Sequence, residues 1–340
     1  MIHFRNDYND IAHPKLLKLI SSLESEAHIG YGMDTHTENA RACIQKEIQE
    51  PVFIHFMTGG TSTNKIVISH LLKPYEAVIS AATGHIEVHE TGAIEQTGHK
   101  IITVPTKMGK LSAKQIEDTF LRFTDEHMVK PKMVYLSNAT ETGMIYLKSE
   151  LKEIYETCQK LNLYLYLDGA RLGVALTSEH NDLTLDDIVT YTDIFYIGGT
   201  KNGALLGEAV ITKHKKFDES FRYSMKQQGG LLAKGFLVGI QFEGLFQDGL
   251  FYQIGKHANH MAKYLVSRLK ELGLNFQITP TNQQFITLPS DVVNTLSLKY
   301  TFEIWQDLGN SKMIRLVTTY RTTEIEIDSI ISDLKDSLSK

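Results

Sequence analysis

The chain has 340 residues, of which 42% are hydrophobic and 22% are charged, and its formal net charge at pH 7 is −5. Such a composition is typical of a globular protein with enough interior for one large domain and a smaller one. The negative net charge, a pI near 6.3 and the lack of a dense lysine and arginine stripe argue against a nucleic-acid partner.

The sequence shows neither a targeting segment nor a cysteine pattern that would indicate disulfides or a metal site. Residues 1–7 have neither the basic start nor the apolar core of a signal peptide, and no run approaches the roughly 20 apolar residues that cross a bilayer. Cys43 and Cys158, without a CxxC pair, indicate neither a disulfide framework nor a zinc site. We therefore expect a cytoplasmic protein with reduced thiols, no membrane partner and no metal.

Strand-like and helix-like segments alternate from about residue 45 to residue 245. The predicted strands are residues 52–57, 100–105, 132–137, 163–167, 193–197 and 208–212. Helical patterns lie between them at residues 111–123 and 149–161, where apolar side chains recur at helical spacing. This alternation predicts an α/β fold in which helices cover a mostly parallel sheet.

The carboxyl-terminal part of the chain is predicted to form a second, smaller unit. Residues 254–272 predict a long amphipathic helix, and a tail helix is predicted to begin at a capping box formed by Thr323 and Glu326. The apolar face of the tail helix comprises Ile327, Ile330, Ile331, Leu334 and Leu338. We expect a large domain at residues 1–248 and a small α+β domain at residues 249–340.

A glycine-rich turn, Met-Thr-Gly-Gly-Thr-Ser-Thr-Asn at residues 57–64, follows the first predicted strand and leads into an apolar helical pattern. Glycines let the backbone approach a phosphate closely, and the start of a helix offers free N–H groups and a positive dipole end. The turn lacks the features of a Walker loop or a dinucleotide fingerprint. An ordinary turn with a helix cap is the alternative interpretation.

One lysine and one aspartate each follow a predicted strand. Asp168 ends the strand at residues 163–167, and Lys201, 33 residues later, lies in the turn Gly-Gly-Thr-Lys-Asn-Gly. Taken singly, the lysine reads as a solvated loop charge and the aspartate as a helix cap. Taken together, they suit pyridoxal phosphate (PLP), which needs a lysine for its aldehyde and an acid beside its pyridine nitrogen.

Two histidines lie in a glycine-bounded segment at residues 83–93. An imidazole can stack on a pyridine ring and reach a substrate hydroxyl, which favours His85. The spacing of His85 and His89 also allows a metal site, but no third ligand is evident nearby. For His89 and His99 we favour an ordinary role as polar loop or interface residues.

Four segments, taken in order, resemble a known family. They are FMTGGTSTN, GHIEVHETGAIE, YLYLDGARL and IGGTKNG. This combination resembles the low-specificity L-threonine aldolases and related β-eliminating lyases, which are PLP enzymes of the aspartate aminotransferase fold. The resemblance covers roughly residues 4–317. It implies fold type I, with a mostly parallel seven-stranded sheet in the large domain and a small carboxyl-terminal α+β domain.

The resemblance also implies roles for individual residues. Lys201, His85 and Asp168 would be catalytic. The cofactor-binding residues would be Gly59, Gly60, Thr61, His85, Asp168, Arg171, Lys201 and Lys234, and the substrate-binding residues would be Asn6, Tyr31, Arg171 and Arg315. Lys234 would reach the phosphate of a neighbouring subunit, and Tyr31 would come close to a neighbour's site, so a homo-oligomer, a dimer or a tetramer, is expected.

The sequence departs from the family pattern at two places. Asn6 stands where a serine usually helps to hold the substrate carboxylate, and an asparagine can still donate a hydrogen bond there. Residues 137–143 read Ser-Asn-Ala-Thr-Glu-Thr-Gly where a histidine is typical. Thr140 or Glu141 replaces that histidine, which leaves the substrate preference open.

The implied activity is cleavage of L-threonine, L-allo-threonine or a related β-hydroxy-α-amino acid to glycine and an aldehyde. His85 is the first candidate for the base that takes the β-hydroxyl proton, because histidine titrates near neutral pH. Glu90 and Glu141 are the other candidates. Alternatives are β-elimination or amino transfer on the same cofactor, and a noncatalytic protein that binds a phosphorylated ligand at the glycine turn.

Overall fold

The computed structural model describes residues 1–25, 27–274 and 276–339. The strands are β1 (Ile2–His3), β2 (Phe53–Met57), β3 (Glu76–Ala81), β4 (Ile101–Val104), β5 (Lys130–Ser137), β6 (Tyr164–Asp168), β7 (Ile194–Gly198), β8 (Glu208–Thr212), β9 (Gln283–Pro289), β10 (Tyr300–Thr301), β11 (Glu303–Asp307) and β12 (Ser311–Val317). The helices are α1 (Pro14–Ser22), α2 (Thr35–Gln45), α3 (Gly60–Leu71), α4 (His85–Val88), α5 (Ala113–Phe120), α6 (Lys148–Lys160), α7 (Leu172–Leu176), α8 (Leu185–Thr190), α9 (Lys215–Asp218), α10 (Phe221–Gln227), α11 (Phe236–Phe246), α12 (Leu250–Glu271), α13 (Ser290–Leu296) and α14 (Glu324–Leu338). Short 3₁₀ helices occur at Leu23–Ser25 and Glu95–Thr97.

The large sheet has seven strands in the order β2-β8-β7-β6-β5-β3-β4. Strand β8 is antiparallel to both of its neighbours, whereas the remaining pairs are parallel. The predicted α/β fold with a mostly parallel seven-stranded sheet is therefore confirmed. All six predicted strands are present with shifts of at most two residues at an end.

Strand β3 was not among the individually predicted segments. All six of its residues are buried, so it shows no alternation of apolar and polar side chains. It also contains Glu76, Ala77, Ser80 and Ala81, residue types that are uncommon in strands. A strand of this kind is difficult to recognise from its own sequence.

Each central strand divides its side chains between the two faces of the sheet, as the two-residue period of a strand requires. Leu136, Leu167 and Ile197 belong to the core on one face. Tyr135, Tyr166 and Tyr196 belong to the core on the opposite face, where they meet apolar residues of α3. Three tyrosines from neighbouring strands thus lie side by side beneath the carboxyl-terminal edge of the sheet.

The carboxyl-terminal part contains the antiparallel sheet β11-β12-β9, which packs against α12, α13 and α14. The predicted capping box of Thr323 and Glu326 is present at the start of α14. Four of the five residues predicted for the apolar face of α14 are buried, and Leu338 is 39% exposed.

The beginning of the chain joins the small unit. Strand β1 pairs in parallel with β10, and Phe4 is buried in the core that also contains Met261 and Leu316. Residues 2–4 thus lie against the carboxyl-terminal part, whereas α1 contributes Leu16 to the core of the large unit. The boundary at residues 248/249, between α11 and α12, stays a prediction.

Candidate active site

A cavity of about 400 Å³ lies at the carboxyl-terminal edge of the large sheet. The turns that follow β2, β5, β6 and β7 form its wall, as expected where the ends of parallel strands meet. The predicted phosphate-binding residues Gly59, Gly60 and Thr61 line it. So do His85, Asp168, Arg171 and Lys201.

Lys201 lies in a tight turn between β7 and β8. The backbone N–H groups of Gly199 and Thr200 both donate to the carbonyl oxygen of Gly207, at 3.0 and 3.2 Å. A side chain at Gly198 would place a Cβ only 2.4 Å from the carbonyl oxygen of Ala170, so the turn needs glycine there. Burial lowers the pKa of the Lys201 ammonium, and the positive charge of Arg171 lowers it further. A lowered pKa favours the neutral amine, which is the nucleophilic form.

Asp168 ends β6 and accepts hydrogen bonds on both carboxylate oxygens. The Tyr196 hydroxyl and the Ala170 N–H donate to Oδ1 at 2.5 and 2.9 Å. The Tyr135 hydroxyl and Asn64 Nδ2 donate to Oδ2 at 2.5 and 3.1 Å. Burial raises the pKa of the Asp168 carboxyl, but His85 and the two tyrosine hydrogen bonds outweigh it and leave the pKa below its ordinary value. Asp168 is therefore a fixed negative charge facing the cavity.

His85 begins the short helix α4 and is oriented by a buried carboxylate. Its Nδ1 lies 2.8 Å from Oε1 of Glu90, whose side chain is fully buried. Because a carboxylate can only accept, Nδ1 carries the hydrogen and Nε2 is left as the acceptor. Asn64 Nδ2 donates to both Glu90 Oε1, at 2.7 Å, and Asp168, and so connects the two acids.

The glycine turn provides an opening at the start of α3. A Cβ added at Gly59 would meet no protein atom within 4 Å, so this part of the cavity is free to receive a ligand group. The first N–H groups of a helix have no intrahelical acceptor, and they suit an anion. Together with the lysine amine and the Asp168 carboxylate, this opening fits the phosphate, aldehyde and pyridine nitrogen of PLP.

Arg171 is held in place by an ion pair from the beginning of the chain. Its Nε and one Nη atom donate to the two carboxylate oxygens of Asp7 at 2.8 and 3.0 Å. Burial raises the pKa of Asp7, but the charges of Arg171 and Lys201 outweigh it and leave the pKa below its ordinary value. The guanidinium lines the cavity while it is paired in this bidentate way.

Arg315 lies on β12 near the same cavity. One of its Nη atoms donates to Gln283 at 3.2 Å, its guanidinium faces the Trp305 ring, and its buried Nε has no hydrogen-bond partner among the described residues. Burial and the charge of Arg171 lower the pKa of Arg315 to about 10. A buried donor without an acceptor is costly, so this arginine is suited to an anionic ligand.

Four predicted site residues lie outside the lining of the cavity: Arg315, described above, and Asn6, Tyr31 and Lys234. The Asn6 side chain accepts from the Tyr8 N–H at 3.1 Å and shapes the turn there. Tyr31 is 42% exposed on another surface, with the Lys226 ammonium over its ring, and Lys234 lines a separate surface pocket. The assignments of Tyr31 and Lys234 therefore require a second copy of the chain and stay predictions.

The structure distinguishes the two residues that replace the usual histidine. The Thr140 hydroxyl is turned away, toward Thr142 and the carbonyl oxygen of Met108. Glu141 lines the cavity, and its Oε1 accepts from the His85 N–H at 3.0 Å and from Ser137 at 2.7 Å. Burial raises the pKa of the Glu141 carboxyl.

Four further residues contact or line the site and were not among the predicted site residues: Tyr135, Tyr196, Asn64 and Glu208. The two tyrosines occupy the same face of adjacent strands, a signal that is readable only when the strand order is known. Glu208 is the first residue of a predicted strand, but the sequence pattern did not indicate that its side chain is buried. Among the described residues, no group of three histidine, cysteine or acidic side chains could hold a metal ion, and no helix is long and apolar enough to cross a membrane.

Comparisons with known proteins show similarity over most of the chain. The family model described as Beta-eliminating lyase matches residues 21–291. The low specificity L-threonine aldolase of Pseudomonas sp. (strain NCIMB 10558) is 32% identical over 320 residues, which covers 91% of this chain and 90% of that protein. The structure of a Leishmania major threonine aldolase has a TM-score of 0.97 and 43% identity, and the match covers 99% of both chains. A Thermus thermophilus aspartate aminotransferase, 12% identical over 99% of this chain and 91% of that chain with a TM-score of 0.72, is similar in fold.

The fold and the cavity together define a PLP-dependent enzyme of the aminotransferase fold, a lyase by its relatives. Its lysine, aspartate and glycine turn all face one cavity, as such an enzyme requires. The chain belongs to the β-eliminating lyase family and, within it, to the low-specificity L-threonine aldolases.

Proposed function

We propose that the protein is a PLP-dependent aldolase that cleaves L-threonine, L-allo-threonine or a related β-hydroxy-α-amino acid to glycine and an aldehyde. The observation that carries the proposal is the common cavity of Lys201 and Asp168 in a chain of this family. The names of the relatives above supply the substrate class.

The residues that would hold the cofactor are those predicted from the sequence. The first turn of α3 at Gly59, Gly60 and Thr61 would bind the phosphate, and Asp168 would pair with the pyridine nitrogen. PLP supplies an aldehyde that joins an amine and a ring that accepts electrons when a bond to the substrate Cα breaks. The low pKa of Asp168 keeps this side chain negative across the neutral range, so it can balance a positive charge on its partner.

Substrate recognition depends on the two arginines. Arg171 is neutralised by Asp7, whereas Arg315 keeps a free buried Nε and is the better partner for the substrate carboxylate. Planar guanidinium groups bind carboxylates in bidentate fashion, which would orient the substrate as well as bind it. Asn6 would contribute through its side-chain amide.

The base for the β-hydroxyl proton is His85 in this proposal. Glu90 holds the hydrogen of Nδ1 and leaves Nε2 to accept a proton. Glu90 is fully buried and is already bonded to His85 and Asn64, which makes it a poor base for a substrate. Glu141 faces the cavity and is the remaining competitor.

We also infer that the active protein is a homo-oligomer in the cytoplasm, either a dimer or a tetramer. Tyr31 and Lys234 lie on exposed surface away from their own cavity, which supports a site completed by a second copy. Two free cysteines support a reducing compartment. Sedimentation velocity of the purified protein measures the oligomeric state, and a monomer with full activity would contradict this inference.

The decisive experiment combines a spectrum with product analysis. Purified protein with PLP should absorb in the visible range, and borohydride reduction should fix the cofactor to Lys201, as peptide mass spectrometry would show. Threonine, allo-threonine and phenylserine should yield glycine and the matching aldehyde. Pyruvate and ammonia from serine would instead indicate elimination, and a keto acid with pyridoxamine phosphate would indicate amino transfer.

Two lysine variants complete this test. Lys201→Ala should abolish turnover and the borohydride adduct while the protein stays folded, because no other lysine of residues 1–25, 27–274 and 276–339 lines the cavity. Lys213→Ala is the matched control, since Lys213 is also half-buried but bonds to the Thr190 carbonyl oxygen far from the cavity. Turnover by Lys201→Ala comparable to that of the unmodified protein would overturn the proposal.

A further inference from the structure

A buried glutamate lies beside the lysine turn and has no part in the proposed function. Glu208 is the first residue of β8, where it pairs with Met57 on one side and Gly198 on the other. Its side chain is only 3% exposed, yet it lines the same cavity as Lys201. A carboxyl group in such a place is costly unless it has partners.

The hydrogen-bond partner of Glu208 lies in the turn that contains Lys201. The Gly199 N–H donates to Oε2 of Glu208 at 3.0 Å, and the adjacent Thr200 hydroxyl accepts from the Gly207 N–H at 3.1 Å. The turn is thus fastened twice, once by the Gly207 carbonyl oxygen and once by the neighbouring Glu208 side chain. This carboxyl therefore helps to hold the turn that contains Lys201.

Glu208 also interacts electrostatically with Lys201. Burial raises its pKa to about 8, and the nearby Lys201 opposes that rise. For Lys201 the effects are reversed: burial and the charge of Arg171 lower its pKa, and the charge of Glu208 opposes that fall. Two groups whose proton affinities converge in this way share protons as a pair.

The other groups that act on this pair are few. Asp168 on β6 raises the pKa of both, and the hydroxyls of Tyr166 and Tyr196 lie near the carboxyl with their own pKa values raised by burial. Asp7 also acts on the lysine. On the helix side, Val238 and Phe242 of α11 pack against Gly207 and Gly199, so that side is apolar.

We propose that Glu208 is a positioning residue for Lys201, which fastens the lysine turn and carries the balancing negative charge in the cavity whenever the lysine nitrogen is protonated. The proposal rests on the proposed function, in which Lys201 is the amine that joins the cofactor. A Lys201 ammonium could transfer its proton to the Glu208 carboxyl, because both groups line the same cavity.

A substitution can separate the charge from the hydrogen bond. Glu208→Gln keeps an amide oxygen that can accept from the Gly199 N–H, but it removes the negative charge. Glu76→Gln is the matched control, because Glu76 is also a buried carboxyl at the start of a strand and accepts from the Lys73 N–H outside the cavity. Any effect of charge loss on Lys201 should be confined to the first variant.

The measurement is a pH titration of the visible absorbance of each holoenzyme, which reports protonation of the nitrogen that links Lys201 to the cofactor. We expect the midpoint of Glu208→Gln to fall by about one pH unit, because a nearby negative charge favours the protonated nitrogen. Glu76→Gln should titrate as the unmodified protein does. A midpoint for Glu208→Gln equal to that of the unmodified holoenzyme would overturn the proposal.

A second variant covers the case in which Glu208→Gln fails to fold or to bind the cofactor. Glu208→Asp moves the carboxyl group away by one methylene. The midpoint of its absorbance titration should fall by roughly half a pH unit. An unchanged midpoint would overturn the proposal. Failure of the proposed function has a different signature, since the unmodified protein would then show no visible band with PLP or no glycine from threonine.

Discussion

The Tyr196 hydroxyl donates a 2.5 Å hydrogen bond to Oδ1 of Asp168 across two adjacent strands. Tyr135 makes the equivalent bond to Oδ2 from the other neighbouring strand, also at 2.5 Å. The carboxylate that would face the pyridine nitrogen is therefore clamped from both sides. Its basicity is set by the sheet as well as by the ligand, because each bond to the charged form lowers the pKa of Asp168.

Tyr196→Phe should weaken cofactor binding without removing Asp168. Loss of a hydrogen bond to a buried charged group costs about 1.5–3 kcal/mol, and it would leave the Asp168 carboxylate less firmly held. We expect the Kd for PLP, measured by absorbance titration of the apoprotein, to rise about tenfold.

Tyr146→Phe is the control for this prediction. Tyr146 is equally buried, but its hydroxyl accepts from the Leu111 N–H away from the cavity. The two variants should lose similar stability while only Tyr196→Phe loses affinity. Equal PLP affinities in the two variants would show that the clamp has no influence on the cofactor site.

His85→Asn should reduce kcat for threonine cleavage by about 10²- to 10⁴-fold, the usual contribution of a general base. Glu141→Gln should reduce kcat by less than about tenfold, because its Oε1 is occupied by the His85 N–H and Ser137. His89→Asn serves as control, since His89 also lines the cavity. A larger loss in Glu141→Gln than in His85→Asn would move the base to Glu141.

Part of the site could be predicted from the pattern of strands in the sequence. The lysine, the aspartate and the glycine turn were predictable because each follows a strand and carries a residue type with specific chemistry. The tyrosine clamp was not, since its geometry depends on β5, β6 and β7 being neighbours. When these strands are neighbours, Tyr135 of β5 pairs with Tyr166 of β6. Tyr166 lies two residues before Asp168 and on the same face of the sheet. Residue spacing along one strand contains no information about this pairing.

The same limit applies to contacts between parts of the chain that are far apart in sequence. Arg315 could be assigned only through resemblance, because β12 belongs to the small sheet and begins more than a hundred residues beyond Lys201. The pairing of β1 with β10 had no sequence signal either, since strands of two residues show no periodicity. Such long-range contacts are a property of the whole fold.

Arg315→Lys should raise KM for threonine by about ten- to a hundredfold and leave kcat within about threefold. A lysine keeps the charge but cannot form two parallel hydrogen bonds with a carboxylate. Arg268→Lys is the control, because Arg268 pairs with Asp328 on the surface of the small unit. A fall in kcat with unchanged KM would indicate that Arg315 acts on the transition state and does not simply hold the substrate.

The ion pair of Asp7 and Arg171 should make stability depend on pH. The folded-state pKa of Asp7 lies below the ordinary value of 3.8, so its contribution is present above pH 3.8 and is lost as the pH falls through the folded-state value. At pH 6, Asp7→Asn should lower the free energy of unfolding by about 3–5 kcal/mol, because it leaves the buried Arg171 unpaired.

Urea unfolding at a series of pH values from 6 down to 3 measures this dependence. The difference between the unmodified protein and Asp7→Asn should shrink as the pH falls, since protonation of Asp7 removes the same charge that the substitution removes. Asp125→Asn is the control, because Asp125 is exposed and its carboxylate accepts from the His127 backbone N–H. A difference that stays constant over this range would mean that the pair contributes packing and hydrogen bonds but no charge-dependent stability, and the segment that joins β1 to the cavity would then be held without its ion pair.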